Sequence, residues 1–150
     1  MKLLCDHMLG TLAKWLRFMG YDTAYPGPLD DTELLALSKR EDRVLLTRDK
    51  ELASRSPDTI RVRSDNLEEQ IREVASALGL RVTDPLSRCS LCNTVLVAAQ
   101  KEEVADLVPE GVRSRHETFW RCPSCGRVYW QGSHWDKMVE RLDHLSASSP

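Results

Sequence analysis

The sequence predicts an α/β fold: a parallel sheet with flanking helices over residues 1–86, followed by a small cysteine-stapled unit over residues 87–132 and a terminal helix over 133–146. Three observations carry that expectation. Short apolar runs alternate with segments of helical period through the first half of the chain, the pattern of strands joined by helices. The run "VLLTRD" is apolar at successive positions, as a strand covered on both faces must be. After "RVTDPLS" the alternation stops, and four of the five cysteines form two Cys-x-x-Cys pairs.

Taken in order, "KLLC" is a short strand that ends at Asp6, and Cys5 within it is a small buried residue. "MLGTLAKWLRFMG" places Met8, Leu12, Trp15, Leu16 and Met19 on one helical stripe, with Lys14 and Arg17 off it and Gly20 as the stop. "YDTAYPGPLD" reads as a loop from its Pro and Gly content. "DDTELLALSKRED" opens as a helix on a capping box, Asp30 with Glu33 three places on. The strand "RVLLTRD", a short helix "KELASR", the strand "TIRVRS" and the amphipathic helix "NLEEQIREVASALG" follow, the last with Asp65 and Glu68 as a second box. In residues 87–132 the one segment of helical period is "KEEVADLV". "HWDKMVERLDHL" reads as an amphipathic helix packing on either unit, with Ser133 as its cap and Met138, Leu142 and Leu145 on one side; "SASSP" reads as disordered.

With 41% hydrophobic residues in 150, the chain can bury a core. It has no run of about 18 apolar residues to span a bilayer, and "MKLLCDHML" carries an acid and a histidine where a signal peptide needs unbroken apolar residues, so the expected location is the cytoplasm, away from membranes. A net charge of -2 excludes wholesale coating of nucleic acid but leaves room for a local patch. Residues 111–127 supply one: Arg113, Arg115, Arg121 and Arg127 face Glu117 alone.

Cys89-x-x-Cys92 and Cys122-x-x-Cys125 have the spacing of two knuckle turns that close a tetrahedral Zn²⁺ site. Four thiolates fill the coordination sphere, so this zinc is expected to be structural. A redox dithiol needs a single pair, and thiols in the cytosol stay reduced.

The acids form a second constellation. Asp6 ends the first strand, Asp30 and Asp31 open a helix, and Asp49 follows a later strand. In a parallel sheet, strand carboxyl ends and helix amino ends share one edge, so these four carboxylates are expected to converge there. Clustered carboxylates repel unless a cation sits among them, and hard oxygen donors suit Mg²⁺ or Mn²⁺. Each acid also has a plain reading as a helix cap.

"DDTELLALSKREDRVLLTRDKEL" resembles the PIN-domain nucleases, whose later acids lie at a helix start and after a strand ending in Thr-x-Asp. More specifically, "DHMLGTLAKWLRFMGYDT", "LLTRD" and "RCPSCGRVYWQGSHW" together resemble the Mut-seven C-terminal RNase domain, a PIN-like fold joined to a zinc ribbon. The resemblance implies a metal-dependent ribonuclease in which Asp6, Asp30 or Asp31, and Asp49 hold the divalent ions while Thr47 and Arg48 shape the strand end. The glutamate that many PIN nucleases carry between the first two of these acids has no counterpart, since residues 7–29 contain Asp22 as their one acid; either Asp30 substitutes for it or the site is sparser. RNA, expected to be single-stranded, would meet Lys14, Arg17, Arg48, Arg113, Arg115, Arg121 and Trp120, because single strands are held by aromatic stacking beside positive charge. A protein partner or RNA-processing complex is compatible with such a ribbon. The rival expectation is a non-catalytic RNA- or protein-binding adaptor whose acids only cap helices.

Overall fold

The computed structural model describes residues 1–147. Leu3, Leu4 and Cys5 are sealed from water, so the strand that carries them, β1 (Lys2–Cys5), lies inside the sheet. A 3-10 turn (His7–Leu9) leads into α1 (Gly10–Phe18), then β2 (Asp22–Ala24), α2 (Asp31–Glu41), β3 (Val44–Thr47), α3 (Lys50–Ser54), β4 (Thr59–Arg61) and α4 (Leu67–Leu78). The four strands are parallel in the order β2-β1-β3-β4. The chain leaves β1 to one side and returns on the other, which puts the topological switch point between β1 and β3.

Strand alternation divides the core. Leu3, Cys5, Leu46 and Val62 join Leu12, Leu16, Ile71 and Val74 of α1 and α4 on one face, whereas Leu4 and Leu45 meet Leu34 of α2 and Leu52 of α3 on the other. The second unit is an antiparallel sheet, order β5-β6-β7, of β5 (Val97–Ala99), β6 (Phe119–Arg121) and β7 (Val128–Tyr129), with α5 (Glu110–Arg115) between the first two and α6 (Ser133–Ala147) after them. Its cores are thin, one around Cys89, Leu96 and Cys122, another around Val104, Val108 and Phe119. Leu142 and Leu145 of α6 belong instead to the α1–α4 core, so the terminal helix packs on the parallel-sheet unit.

Several expectations need correction. "YDTAYPGPLD" contains β2: only Thr23 of its three residues is buried, too little apolar signal to be read as a strand among Pro and Gly. Met8 lies in the 3-10 turn, 58% exposed, and leaves the stripe to Leu9, Leu12, Leu16 and Met19, with Trp15 partly buried against the same core. The cap of α4 is Asn66, which accepts from the Glu69 N–H, and no reciprocal box forms, because the Asn66 N–H donates to Ser64 Oγ; Asp65 is exposed. "KEEVADLV" forms turns, and the helix of that region is α5. Ser146, expected to be disordered, is buried in α6; residues 148–150 of that tail lie outside the described residues.

The two units are locked together at β2. Asn93, just past the first cysteine knuckle, accepts from the Thr23 N–H (3.0 Å) and donates to Asp22 Oδ1 (2.7 Å), so the knuckle closes the outer edge of the sheet. Arg43 donates to the same carboxylate oxygen at 2.8 Å, and Arg88 lies 3.8 Å from the other. Burial works against the Asp22 charge, but the hydrogen bonds from Arg43 and Asn93 outweigh it and hold this carboxyl below its usual range. Gly20 lets the chain turn into β2: its φ is +106°, and a Cβ there would meet Thr83 Oγ1 at 2.8 Å. Among the described residues no helix is long and apolar enough to cross a membrane.

Candidate active site and metal centre

The four cysteines come together as their spacing predicts. Their sulfurs all lie within 4.8 Å of one another, and Cys89 and Cys125 are 3.7 Å apart. A tetrahedron with Zn–S bonds of about 2.3 Å has edges of about 3.8 Å, so the donor set and its size fit zinc. Gly126, at φ +79°, turns the second knuckle and donates its N–H to Cys122 O at 2.9 Å. Tyr129 holds its hydroxyl 3.2 Å from the Cys89 sulfur and accepts from the Ser90 N–H. Burial opposes ionisation of Cys89, yet the Tyr129 hydroxyl and the backbone amides of Cys92 and Leu91 bring its thiol down to about 7. Cys5 stands apart: burial, with the Asp6 charge beside it, pushes its thiol up to about 12, which makes it inert.

At the other centre, Asp6 and Asp49 follow the neighbouring strands β1 and β3, beside the switch point. Asp6 is 4% exposed. Its Oδ1 accepts from the Met8 N–H at 3.0 Å and its Oδ2 from the Thr47 hydroxyl at 2.5 Å. The Thr47 oxygen in turn accepts from the Asp49 N–H at 3.0 Å, so one hydroxyl ties both acids into a relay. Asp49 Oδ1 caps α3 through the Glu51 and Leu52 amides, and no hydrogen bond engages its Oδ2 among the described residues. Asp30 caps α2 with both bonds of its box in place. Asp31 opens the same helix and lies 3.8 Å from Arg55 at the end of α3. Among the described residues the carboxylates are not drawn to the close spacing that the four sulfurs share. Asp22 lies at the opposite edge, occupied by its arginines, and cannot take the place of the missing glutamate.

Sequence reading missed one residue of this edge. The ladder continues the row Asp6–Thr47 to Arg61, the register partner of Thr47 on β4. Ile60 and Val62 face the α1–α4 core, so alternation turns the exposed Arg61 to the face of Thr47 and Asp6, about two strand spacings, roughly 10 Å, from the latter. The signal was present in "TIRVRS" as a period of two, but it needed the strand order to become legible.

The residues expected to meet RNA divide. Arg17 is a correction: it is 6% exposed, and its guanidinium donates to the carbonyls of Thr23, Ser90 and Leu91, which fastens the knuckle to α1 and β2. Trp120 packs half-buried against the cysteine core. Arg48 donates to Arg63 O at 3.4 Å, and its Nε is buried without a partner among the described residues. Arg113 spends one nitrogen on Ala105 O. Lys14, Arg115 and Arg121 are exposed.

Comparison with known proteins bears on the whole chain. No curated protein and no solved structure matches it. One family does, described as the Mut7-C RNAse domain, over residues 1–142. That span takes in the parallel sheet, the acid-bearing edge, all four cysteines and most of α6. The chain therefore belongs to the Mut7-C RNAse domain family.

Proposed function

We propose that the chain is a PIN-like, metal-dependent ribonuclease that hydrolyses RNA phosphodiester bonds at the carboxyl edge of β1 and β3. The observation that carries this reading is the Asp6–Thr47–Asp49 relay beside the switch point, where open α/β sheets hold their ligands. The threonine satisfies a buried carboxylate oxygen and also fixes the carboxylate's orientation, and a fixed orientation is what metal ligation needs beyond capping. Asp6 and Asp49, with Asp30 or Asp31, would hold Mg²⁺ or Mn²⁺; such ions keep several waters and need only one or two carboxylates beside substrate phosphate, so a closed cage is not required. The chemistry a bound ion supplies is an activated water and charge stabilisation on the phosphodiester. Thr47 keeps Asp6 in register, Asp49 offers its unengaged Oδ2, and Arg61 neutralises the phosphate from the neighbouring strand.

A second reading, a binding adaptor without catalysis, is favoured by a specific observation: Asp6, Asp30 and Asp49 all cap helical turns. Asp49→Asn separates the two, because asparagine caps as well as aspartate and leaves the fold intact. The nuclease reading expects loss of divalent-dependent RNA cleavage, of the order of 10² or more, with RNA affinity retained. Unchanged cleavage in the variant, or no cleavage by the wild type with Mg²⁺ or Mn²⁺ supplied, would leave the adaptor.

A further inference from the structure

A cleft of about 470 Å³ opens on the α1 face of the sheet, opposite the face of Asp6 and Thr47, where α1, β7 and the start of α6 meet. Its walls are aromatic: Trp15 and Phe18 from α1, packed edge-to-face at 6.3 Å, oppose Tyr129, Trp130 and Trp135. Two cations, Lys14 and Arg127, stand in the lining, and no acid does. Neither makes an ion pair among the described residues. The Trp135 Nε1–H is buried and meets no acceptor among the described residues, a donor that burial leaves unsatisfied unless something supplies one.

Flat apolar walls, unpaired positive charge and a donor without an acceptor describe one ligand chemistry: a planar heterocycle bearing ring acceptors and attached to phosphate. The volume lies within the range of small-ligand sites. We propose that this cleft holds an unpaired nucleotide of single-stranded RNA, its base between the tryptophans, a base oxygen or nitrogen accepting from Trp135, and its phosphates beside Lys14 and Arg127. The inference rests on the RNA reading above and adds where the strand is gripped, away from the acid edge. It also gives the exposed Lys14 a role that the buried Arg17, one turn along α1, lacks.

The test uses the full zinc-loaded chain in an Asp49→Asn background, with a fluorescein-labelled single-stranded RNA decamer followed by anisotropy. Lys14→Ala should weaken binding severalfold and lower the slope of log affinity against log salt by about 0.7, the value for one phosphate contact on a single strand. Trp135→Phe keeps an aromatic face, smaller than the indole, and removes the N–H, and should cost at least about two- to tenfold, the worth of one neutral hydrogen bond. Lys39→Ala, an exposed cation on α2 outside the cleft, should change little. Parent-like affinity in both cleft variants overturns the proposal, as does a Lys39→Ala effect equal to that of Lys14→Ala. Displacement of the decamer by free uridine or adenosine monophosphate at the decamer's own concentration overturns the strand in favour of a mononucleotide. Cleavage by the parent protein is measured in parallel: binding that depends on Lys14 without cleavage sinks the nuclease and spares the cleft, whereas cleavage with binding indifferent to Lys14 does the reverse.

Discussion

Thr47 is the residue on which the acid edge turns. Its hydroxyl donates to Asp6 and accepts from the Asp49 amide, with the side chain fully buried. Thr47→Val keeps the shape and removes both bonds, which leaves a buried carboxylate oxygen without its donor and costs about 1–3 kcal/mol. Released from that bond, Asp6 can swing by an ångström, and misplacement on that scale is worth up to about 10²-fold in rate. The expected outcome is a lower urea midpoint together with a kcat loss that Thr47→Ser restores; a stability loss with full activity would show that the hydroxyl serves the fold alone. Asp22 is the residue-scale control at the far edge. Its pKa is depressed in the folded state, so its contribution is complete above the unfolded value of about 3.9 and is lost as pH falls through the lower native one. Asp22→Asn should therefore lower stability at neutral pH and flatten the acid limb below about pH 4, read from urea midpoints across the pH series. Sequence alone identified the acids by their places at strand ends and helix starts, but not which were engaged by arginines, because Arg43 and Arg88 reach Asp22 only through the fold.

At the scale of elements, legibility followed buried apolar content. β1 and β3 carry three and two fully sealed leucine or cysteine side chains and were plain in the sequence; β2, with Thr23 alone, was not. α5 was missed for the same reason, since none of its residues is buried, and "KEEVADLV" misled because Val104 and Val108 are buried from consecutive turns four residues apart. The terminal helix was recognised by its stripe, but its partner was open until Leu142 and Leu145 appeared in the same core as Leu3 and Val74. Packing there makes α6 part of the parallel-sheet unit although the whole second unit intervenes in sequence. Leu142→Ala should thus destabilise the parallel-sheet unit by about 2–5 kcal/mol, a loss visible as an earlier transition by far-UV circular dichroism. If the transition of the sheet stays where it was, α6 is an ornament on its surface.

Across the whole molecule, the metal knuckle and the candidate nuclease sheet are mechanically one object. The second unit has two small cores, and a zinc ion at its four clustered cysteines would help hold them, since closed four-thiolate sites contribute folding free energy outright. What the first knuckle holds, however, is the edge of the parallel sheet: Asn93 accepts from the Thr23 N–H, and Ser90 and Leu91 accept from buried Arg17. Loss of zinc from the knuckle would free those carbonyls, leave the Arg17 guanidinium with the Thr23 carbonyl but without its knuckle partners, and expose an unpaired strand edge, each a cost borne by the sheet rather than by the ribbon. Chelation should therefore lower the melting temperature of the entire chain and open the Thr23 amide to hydrogen exchange, while amides between β1 and β3 stay protected because Leu4, Leu45 and Leu46 remain packed on both faces. Asp6 and Asp49 directly follow those protected strands, so the proposed nuclease activity should survive partial zinc loss longer than the protection at Thr23. Exchange at Thr23 that ignores the chelator would mean that the two units merely touch.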